Sequence, residues 1–410
     1  MQTQLADFIR DTEAGQEADA ILRKCTHCGF CLANCPTYRL WGDELDSPRG
    51  RIYQVKQVLE GAEPTESLQT HLDRCLTCRA CETTCPSGVE YGRLADLGRE
   101  IVEREVPRPV STRALRWALR VVLPRRQLFS ALLGIGRTVR PLVPQPLRSK
   151  IRPRRTAPAW PQAARERTVL MLEGCVQPAL DPVINPQTAR VADGLGFQVI
   201  RTPEAGCCGA VNQHLGDVDT AKDQARRNID AWWPHVEAGA GAIIVNASGC
   251  GAQVKDYGHL LAGDPDYAER AERVSTLAVD PVEFLEHWQA ELRPAADAPR
   301  RIAFQSPCTL QHAQGLGGRV EALLGAVGFE LTPVADPHIC CGSAGTYSVL
   351  QPETAKTLRQ QKLDNLNAGA PELIATANIG CLTHLDEASD IPVRHWLELV
   401  TVEGQPATEA

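Results

Sequence analysis

Two cysteine runs near the N-terminus decide how this chain folds. The first run is Cys25-Thr26-His27-Cys28-Gly29-Phe30-Cys31-Leu32-Ala33-Asn34-Cys35-Pro36, and the second is Cys75-Leu76-Thr77-Cys78-Arg79-Ala80-Cys81-Glu82-Thr83-Thr84-Cys85-Pro86. Both read C-x2-C-x2-C-x3-C-P, which places three thiolates on one tight loop and a fourth before a proline. Structural zinc is the alternative. A zinc site needs four ligands and does not require three evenly spaced cysteines followed by Cys-Pro, a pattern that occurs here twice. The spacing therefore predicts iron–sulfur clusters.

The two runs resemble those of bacterial two-cluster ferredoxins. In that family the last cysteine of each run ligates the cluster held by the other run. The resemblance implies two [4Fe–4S] clusters with crossed ligands. The first cluster is expected on Cys25, Cys28, Cys31 and Cys85. The second cluster is expected on Cys75, Cys78, Cys81 and Cys35.

Length and composition indicate a multidomain protein with reduced thiols. The chain has 410 residues, 43% of them hydrophobic, and an unusual total of 16 cysteines. This length predicts about two to four domains. Residues 1–7 lack the basic and apolar regions of a signal peptide, and no apolar run is long enough to span a membrane. We therefore expect a cytoplasmic protein, in which thiols stay available for metal.

Charge is distributed unevenly along the chain. The basic block, residues 106–165, holds fourteen Arg and Lys and no Asp or Glu, which leaves 29 basic against 50 acidic residues elsewhere. It contains two amphipathic stretches, Thr112–Leu123 and Arg126–Val139. Cationic amphipathic helices are typical of membrane-surface or partner-binding elements, and a solvated linker with a docked helix is the alternative. We expect peripheral attachment to the cytoplasmic face of the inner membrane, and no nucleic acid as partner because no nucleic-acid motif accompanies the charge.

The remaining eight cysteines form an internal repeat. Cys175 precedes Cys207-Cys208-Gly209 by 32 residues, and Cys308 precedes Cys340-Cys341-Gly342 by the same 32 residues. Cys250 and Cys381 then follow after 42 and 40 residues. The two copies are offset by 133 residues, so each is a domain-sized unit.

Strands alternate with helices inside each copy, which predicts a parallel sheet with helices on its faces. The predicted strands are 168–172, 197–200, 241–246, 301–305, 329–334 and 373–377. The predicted helices are 183–195, 217–233, 318–327 and 352–366. The cysteines follow strands, at the sheet edge where open α/β sheets bind ligands. They could hold an iron–sulfur cluster or zinc, carry disulfide chemistry, or be structural.

The predicted fold class is α+β and multidomain. An all-helical two-cluster ferredoxin domain (1–105) precedes the basic, proline-rich helical linker (106–165). Two tandem α/β modules with parallel sheets follow, the first module at 166–290 and the second module at 300–402.

The repeat resembles the paired CCG (cysteine-rich) domains of heterodisulfide-reductase-like and related dehydrogenase subunits. Such a domain ends in C-x-x-C, and its five cysteines can hold a noncubane cluster. Here the ends are Cys250-Gly251-Ala252-Gln253 and Cys381-Leu382-Thr383-His384, so both lack the fifth cysteine. The resemblance implies a possible third site on Cys308, Cys340, Cys341, Cys381 and His384. The corresponding set in the first copy has no histidine: Cys175, Cys207, Cys208 and Cys250.

The order of parts resembles the iron–sulfur subunits of glycolate oxidase and of anaerobic glycerol-3-phosphate dehydrogenase. Segments similar to the former are Glu44–Tyr53, Leu172–Cys175, Ala205–Val211, Asn228–Pro234, Cys308–Gln314 and Thr376–Cys381. The resemblance implies a complex that oxidises glycolate to glyoxylate, with D-lactate-type acids as further substrates. It also implies FAD-containing glycolate oxidase subunits as partners and an acceptor such as membrane quinone.

We expect the chemistry at the substrate carbon to lie on another chain. Removing a hydride from a 2-hydroxy acid requires a two-electron acceptor, normally a flavin. The glycine clusters of this sequence lack the strand–G-x-G-x-x-G–helix context of dinucleotide sites. No catalytic residue is assigned, and we interpret His214, His312, His338 and His384 as packing or hydrogen-bonding residues. A heterodisulfide-reductase-like complex and a non-enzymatic redox sensor remain alternatives.

Overall fold

The N-terminal domain is a cluster of short helices around the two cysteine runs. The structure, a computed structural model, describes residues 1–142, 144 and 151–404. The helices span Asp7–Arg10, Glu13–Lys24, Pro36–Trp41, Pro48–Leu59, Glu66–Asp73, Ala80–Thr83 and Tyr91–Glu105, with a 3-10 turn at Glu44–Asp46. Ser47 caps the helix that begins at Pro48 by accepting a hydrogen bond from Gly50 N–H. Leu22, Leu59 and Leu72 are fully buried between these helices, so helix ends hold the cysteine loops.

The basic block forms two helices, Val110–Val122 and Arg126–Val139, which we call the cover helices. A 3-10 turn follows at Arg140–Leu142. Seven arginines of the block pair with acids of the N-terminal domain or of the modules: Arg108, Arg116, Arg120, Arg126, Arg152, Arg155 and Arg165. These ion pairs tie the described part of the block to the rest of the molecule.

Each module contains a four-stranded parallel sheet, and the two sheets have the same topology. In the first module β1 (Arg167–Met171), β2 (Phe197–Ile200), β3 (Ile243–Ile244) and β4 (Ala278–Val279) lie in the order β2-β1-β3-β4. In the second module β6 (Arg301–Gln305), β7 (Glu330–Leu331), β8 (Leu373–Thr376) and β9 (Val393–His395) lie in the order β7-β6-β8-β9. The matching order shows that the cysteine repeat is a repeat of folded units.

A separate antiparallel pair joins β5 (Leu292–Pro294) to β10 (Val400–Val402). Helices of the first module span Gln177–Leu180, Ile184–Gly194, Ala210–His214, Val218–Glu237, Ser248–Val254, Tyr257–Leu260, Ala268–Leu277 and Pro281–Leu285. Helices of the second module span Arg319–Val327, Tyr347–Leu350, Pro352–Asn367 and Ile379–Asp386, with a π-helical turn at Thr309–Ala313. Short 3-10 turns lie at Glu286–Trp288 and Trp396–Leu399. The six predicted strands and four predicted helices all form, with shifts of a few residues at their ends.

The modules pack against each other at their cysteine-bearing ends. Ser248 N–H donates to Ala377 O at 3.1 Å, and Ser248 Oγ lies 2.8 Å from Thr309 Oγ1. The N-terminal domain contacts both modules. Arg93 donates to Asp256 of the first at 2.6 Å, and Tyr347 of the second donates to Arg74 O at 3.1 Å. Across the described ranges, no helix has the length and apolar character needed to cross a membrane.

Candidate functional site

The eight cysteines of the two N-terminal runs line two neighbouring cavities. One cavity is lined by Cys25, Cys28, Cys31 and Cys85. The other is lined by Cys35, Cys75, Cys78 and Cys81. Each cavity thus brings together three cysteines of one run and the last cysteine of the other. Cys81 also lines the first cavity, so the two spaces share a wall.

The two loops have the same backbone conformation. His27 (φ 57°) and Gly29 (φ 85°) adopt the left-handed region in the first run, and Thr77 (φ 52°) and Arg79 (φ 59°) adopt it at equivalent positions of the second. Such turns point successive backbone N–H groups toward a concave side, where they favour an anion. In the second run, Thr77 N–H donates to Cys75 Sγ at 3.4 Å. The loops are therefore shaped to surround a negatively charged group.

The sulfurs are too widely spaced for a single zinc ion. Ligands of a tetrahedral Zn–S4 site lie about 3.8 Å apart, given a Zn–S bond of about 2.3 Å. Within the part of the chain that the structure describes, no three cysteine sulfurs lie within 4.8 Å of one another; only Asp43, Asp46 and His71 form such a set. Asp46 is already paired with Arg51 and Arg74, so ion pairing explains that set. The wider spacing favours a larger group with several metal ions, such as an iron–sulfur cluster, over a single ion.

Buried positive charge lies beside the second cavity. Arg51 is 1% exposed, and its Nη1 lies 3.9 Å from Cys35 Sγ. Tyr91 Oη donates to Cys75 Sγ at 3.5 Å. Burial alone would raise the pKa of the Cys75 thiol, but the guanidinium groups of Arg51 and Arg99 hold that pKa below its usual value. Positive charge and hydrogen bonds at the sulfurs stabilise a reduced iron–sulfur cluster.

All eight cysteines of the modules line one further space, which we call the central cavity. Its volume is about 550 Å³. The cysteines that line it are Cys175, Cys207, Cys208 and Cys250 from the first module and Cys308, Cys340, Cys341 and Cys381 from the second. Because both sets follow strands, the carboxyl edges of the two sheets face the same space.

The glycine that follows each Cys-Cys pair is required by the backbone. Gly209 has φ 98° and Gly342 has φ 89°. A Cβ atom at Gly342 would lie 2.5 Å from Ala355 O.

Hydrogen bonds from neighbouring thiols lower the pKa of Cys207 in one module and of Cys341 in the other. Each module therefore stabilises a thiolate at the central cavity.

Comparison with known proteins agrees with this geometry. The family model described as a 4Fe-4S dicluster domain matches residues 21–89, and the cysteine-rich domain matches residues 169–255 and 302–386. The glycolate oxidase iron-sulfur subunit of Escherichia coli (strain K12) is 55% identical, over 98% of each chain. A probable glycolate oxidase iron-sulfur subunit of Bacillus subtilis (strain 168) is 33% identical, over 89% of this chain and 88% of the relative. Lactate utilization protein A of Exiguobacterium is 26% identical over 53% of this chain.

This chain belongs to the family of glycolate oxidase iron-sulfur subunits. It is thus an iron–sulfur electron-transfer subunit of an oxidoreductase, as its sequence predicts.

In this glycolate oxidase-type subunit the two modules differ at the position of the missing fifth cysteine. Gln253 of the first module donates from Nε2 to Gln213 Oε1 at 2.6 Å, so its side chain is engaged within the protein. His384 of the second module is buried, and its Nε2 lies 3.2 Å from Ala355 O. Burial lowers the pKa of His384, which favours the neutral ring. A neutral histidine that donates through Nε2 retains Nδ1 as an electron-pair donor.

The other histidines singled out from the sequence have structural partners or lie apart from the thiols. His214 Nδ1 lies 3.3 Å from Asp96 Oδ1. His312 joins the N-terminal domain to the second module, since its Nδ1 lies 2.9 Å from Thr83 Oγ1. His312 Nε2 lies 3.0 Å from His338 O.

Sequence reasoning missed the direct contact between the second cysteine run and the second module of this subunit. Cys78 packs in one apolar cluster with Cys308, Cys340 and Tyr347. Cys75 also lines both the second cavity and the central cavity. No local pattern signals this contact, because its partners are more than two hundred residues apart in the sequence.

Proposed function

We propose that this chain relays electrons through two [4Fe–4S] clusters in a complex that oxidises glycolate to glyoxylate. The observation that carries the proposal is the pair of adjoining cavities, each lined by three cysteines of one run and the last cysteine of the other, with Cys81 common to both. Clusters bound there would accept and donate electrons one at a time. The substrate is inferred from the 55% identical glycolate oxidase iron-sulfur subunit of Escherichia coli.

The proposed ligands follow from the cavities. Cys25, Cys28, Cys31 and Cys85 hold the first cluster. Cys75, Cys78, Cys81 and Cys35 hold the second. Arg51 and Tyr91 stabilise the added electron at the second position through charge and hydrogen bonding.

We infer that FAD-containing partner subunits oxidise the substrate. The glycine clusters of this chain do not form a dinucleotide loop: Gly134 and Gly136 lie inside the helix Arg126–Val139. The Gly315–Gly318 segment follows the π-helical turn at Thr309–Ala313, with no strand directly before it. A flavin on another chain would take the hydride and pass electrons singly to this subunit.

Membrane quinone is the proposed acceptor, with contact at the cytoplasmic face of the inner membrane. The cover helices expose Trp117 (62%) and Ile135 (62%) on their outer side. Within the described ranges, Arg113 and Arg125 have no acidic partner. Aromatic and aliphatic side chains flanked by unpaired cations suit an anionic lipid surface.

The second module is the stronger of two candidates for a further metal site. Its set is Cys308, Cys340, Cys341 and Cys381 with His384 as the fifth donor, whereas Gln253 stands at that place in the first module. Iron analysis of the anaerobically purified chain tests this. About eight irons per chain would mean two cubane clusters only, and about twelve would place a third cluster in a module.

Assay of the purified complex with an artificial dye acceptor tests the substrate. Glycolate should support dye reduction, and D-lactate is the second substrate to try. Activity with glycerol 3-phosphate and none with glycolate would overturn the assignment.

A further inference from the structure

We propose that the central cavity is the site where the quinone binds and is reduced. This inference rests on the proposed function and adds the place and the residues. It applies to a chain that holds two cubane clusters only, because a third cluster on Cys308, Cys340, Cys341 and Cys381 would occupy the same cavity, and an iron content of about twelve per chain would overturn it. A volume of about 550 Å³ lies within the range of about 300–1,000 Å³ that is usual for small-molecule sites. The apolar side chains that would hold an aromatic ring come from the N-terminal domain, the basic block and the first module: Leu76, Leu119, Leu123, Phe129, Val176 and Leu180.

Two arginines supply hydrogen-bond donors for the carbonyl oxygens of a quinone. Arg116 and Arg152 line the cavity, and both side chains are mostly buried. Among the residues that the structure describes, Arg116 Nε and Arg152 Nη1 are buried nitrogens without a hydrogen-bond partner. A buried donor without a partner is costly. Both nitrogens are enclosed by neighbouring atoms, so a bound ring would gain them as donors to its two carbonyl oxygens through a small movement of the arginine side chains.

The cover helices form part of the wall of the cavity. Leu119, Leu123 and Phe129 line the cavity, whereas Trp117 and Leu132 on the same helices are 62% and 47% exposed. These helices therefore present apolar side chains on both sides.

Electrons arrive at this cavity through the second cysteine run. Cys75, Leu76 and Thr77 line the central cavity, and Cys75 also lines the second cluster cavity. The two spaces therefore share a wall of protein one side chain thick. The cavity of the first cysteine run does not share this wall, so the order of transfer is from the first run to the second and then to the quinone.

The reaction balances with protons drawn from solvent. Glycolate loses two electrons and two protons in becoming glyoxylate. The quinone gains the two electrons, and each of its two carbonyl oxygens forms an O–H bond with one proton. His214 lines the cavity, its side chain is 41% exposed, and its Nδ1 lies 3.3 Å from Asp96 Oδ1. We therefore assign His214 as a proton donor at the cavity.

Filling the cavity tests the proposal. Leu119→Trp places an indole inside the cavity, and Leu115→Trp makes the same change on the same helix at a residue that is 42% exposed and does not line the cavity. In the purified complex, the KM for a short-chain ubiquinone analogue should rise about tenfold or more in the first variant, a loss of about 1.4 kcal/mol or more of binding. It should be unchanged in the second. Val211→Trp, at a lining residue of the first module, should behave like Leu119→Trp.

Electron paramagnetic resonance of the clusters after addition of glycolate separates a failure of the quinone site from a failure of the electron relay. Normal cluster reduction in Leu119→Trp with impaired quinone reduction supports the cavity as the quinone site. Equal quinone kinetics in properly folded Leu119→Trp, Val211→Trp and Leu115→Trp would overturn it and leave the relay intact. Failure of glycolate to reduce any cluster in the unmodified complex would instead overturn the proposed function.

Discussion

Replacing Arg51 by methionine should lower the reduction potential of the second cluster by about 60 mV. Arg51 is buried, and its Nη1 lies 3.9 Å from Cys35 Sγ. At that distance and an effective dielectric constant of about 20, a unit charge interacts with a unit charge on sulfur by about 4 kcal/mol. Asp46 offsets part of this charge at 3.1 Å, and the added electron is shared over the whole cluster. If about a third of the interaction remains, the loss is about 1.4 kcal/mol, or about 60 mV for one electron.

The sign follows from charge alone. Reduction adds a negative charge next to Arg51, so removal of the guanidinium makes reduction less favourable and the potential more negative. Anaerobic redox titration followed by electron paramagnetic resonance measures the shift. Arg51→Lys retains the charge and should recover most of the potential. Arg49→Met is the matched control two residues away, because Arg49 is partly exposed, pairs with Glu44 and lines the first cavity.

Folding of the Arg51→Met variant is the practical concern. Removing one partner of a buried ion pair costs about 3 kcal/mol or more. Asp46 retains Arg74 and His71, both at 2.9 Å, so its carboxylate does not become unpaired. The iron content of each variant shows whether both clusters are present. A shift under about 15 mV, or one toward higher potential, in a fully loaded Arg51→Met protein would refute the electrostatic reasoning.

Three further expectations concern ligation, pH and packing. Cys85→Ser should abolish the same paramagnetic signal as Cys31→Ser and leave the other cluster, whereas loss of different signals would contradict crossed ligation. His395 is fully buried, and burial lowers its pKa to about 4. Between that pH and about 6.5, the folded state therefore binds fewer protons than the unfolded state. The free energy of unfolding should fall by about 3 kcal/mol as the pH drops through this window. Urea unfolding at a series of pH values should show that the unfolding free energy of His395→Gln depends less on pH than that of the unmodified protein. An equal dependence on pH in the two proteins would refute the role given to His395. Gly342→Ala should lower the unfolding free energy by about 2–4 kcal/mol, because Gly342 has a positive φ and lies close to Ala355 O. Gly325→Ala is the control in an open helical position, and in the same thermal or urea assay it should raise the unfolding free energy by up to about 1 kcal/mol.

Strong local patterns predicted the elements that surround the site. The strands Phe197–Ile200 and Arg301–Gln305 form where apolar runs of four or five residues predict them. The helix Arg126–Val139 also has the predicted ends. The strands β4 and β9 were missed because two or three residues carry no measurable periodicity, and their place in the sheet depends on partners far away in the sequence.

The first helix of the chain shows how packing interrupts a helical pattern. The apolar residues of 1–24 follow an imperfect helical pattern, but the structure has two helices there, Asp7–Arg10 and Glu13–Lys24. Thr12 begins the second helix by accepting a hydrogen bond from Gly15 N–H. A Cβ atom at Gly15 would overlap Ile9 O, so the chain turns at a point where only glycine fits. Tertiary contact of this kind has no signature in periodicity.

The candidate site was predictable only in part, for a similar reason. Cysteine spacing identifies ligands that share a loop, and it also identifies the repeat. It says nothing of how the N-terminal domain lies against the modules. The packing of Cys78 on Cys308, and the meeting of both module cysteine sets at one cavity, depend on docking of separately folded units. Docking depends on surface shape, which a single sequence does not display.

The basic block illustrates what a charge pattern can and cannot determine. Its excess of arginine suggests a partner outside the chain, yet Glu103 alone contacts Arg108, Arg116 and Arg120. Arg155 bridges Asp181 of the first module and Glu398 of the second. The fourteen cations of the block, set against a net charge of −21 on the rest of the chain, therefore find much of their complement within the molecule. Because these pairs hold the cover helices at the wall of the central cavity, the first consequence of the charge asymmetry lies inside the molecule, and only the arginines without an acidic partner are available to a membrane.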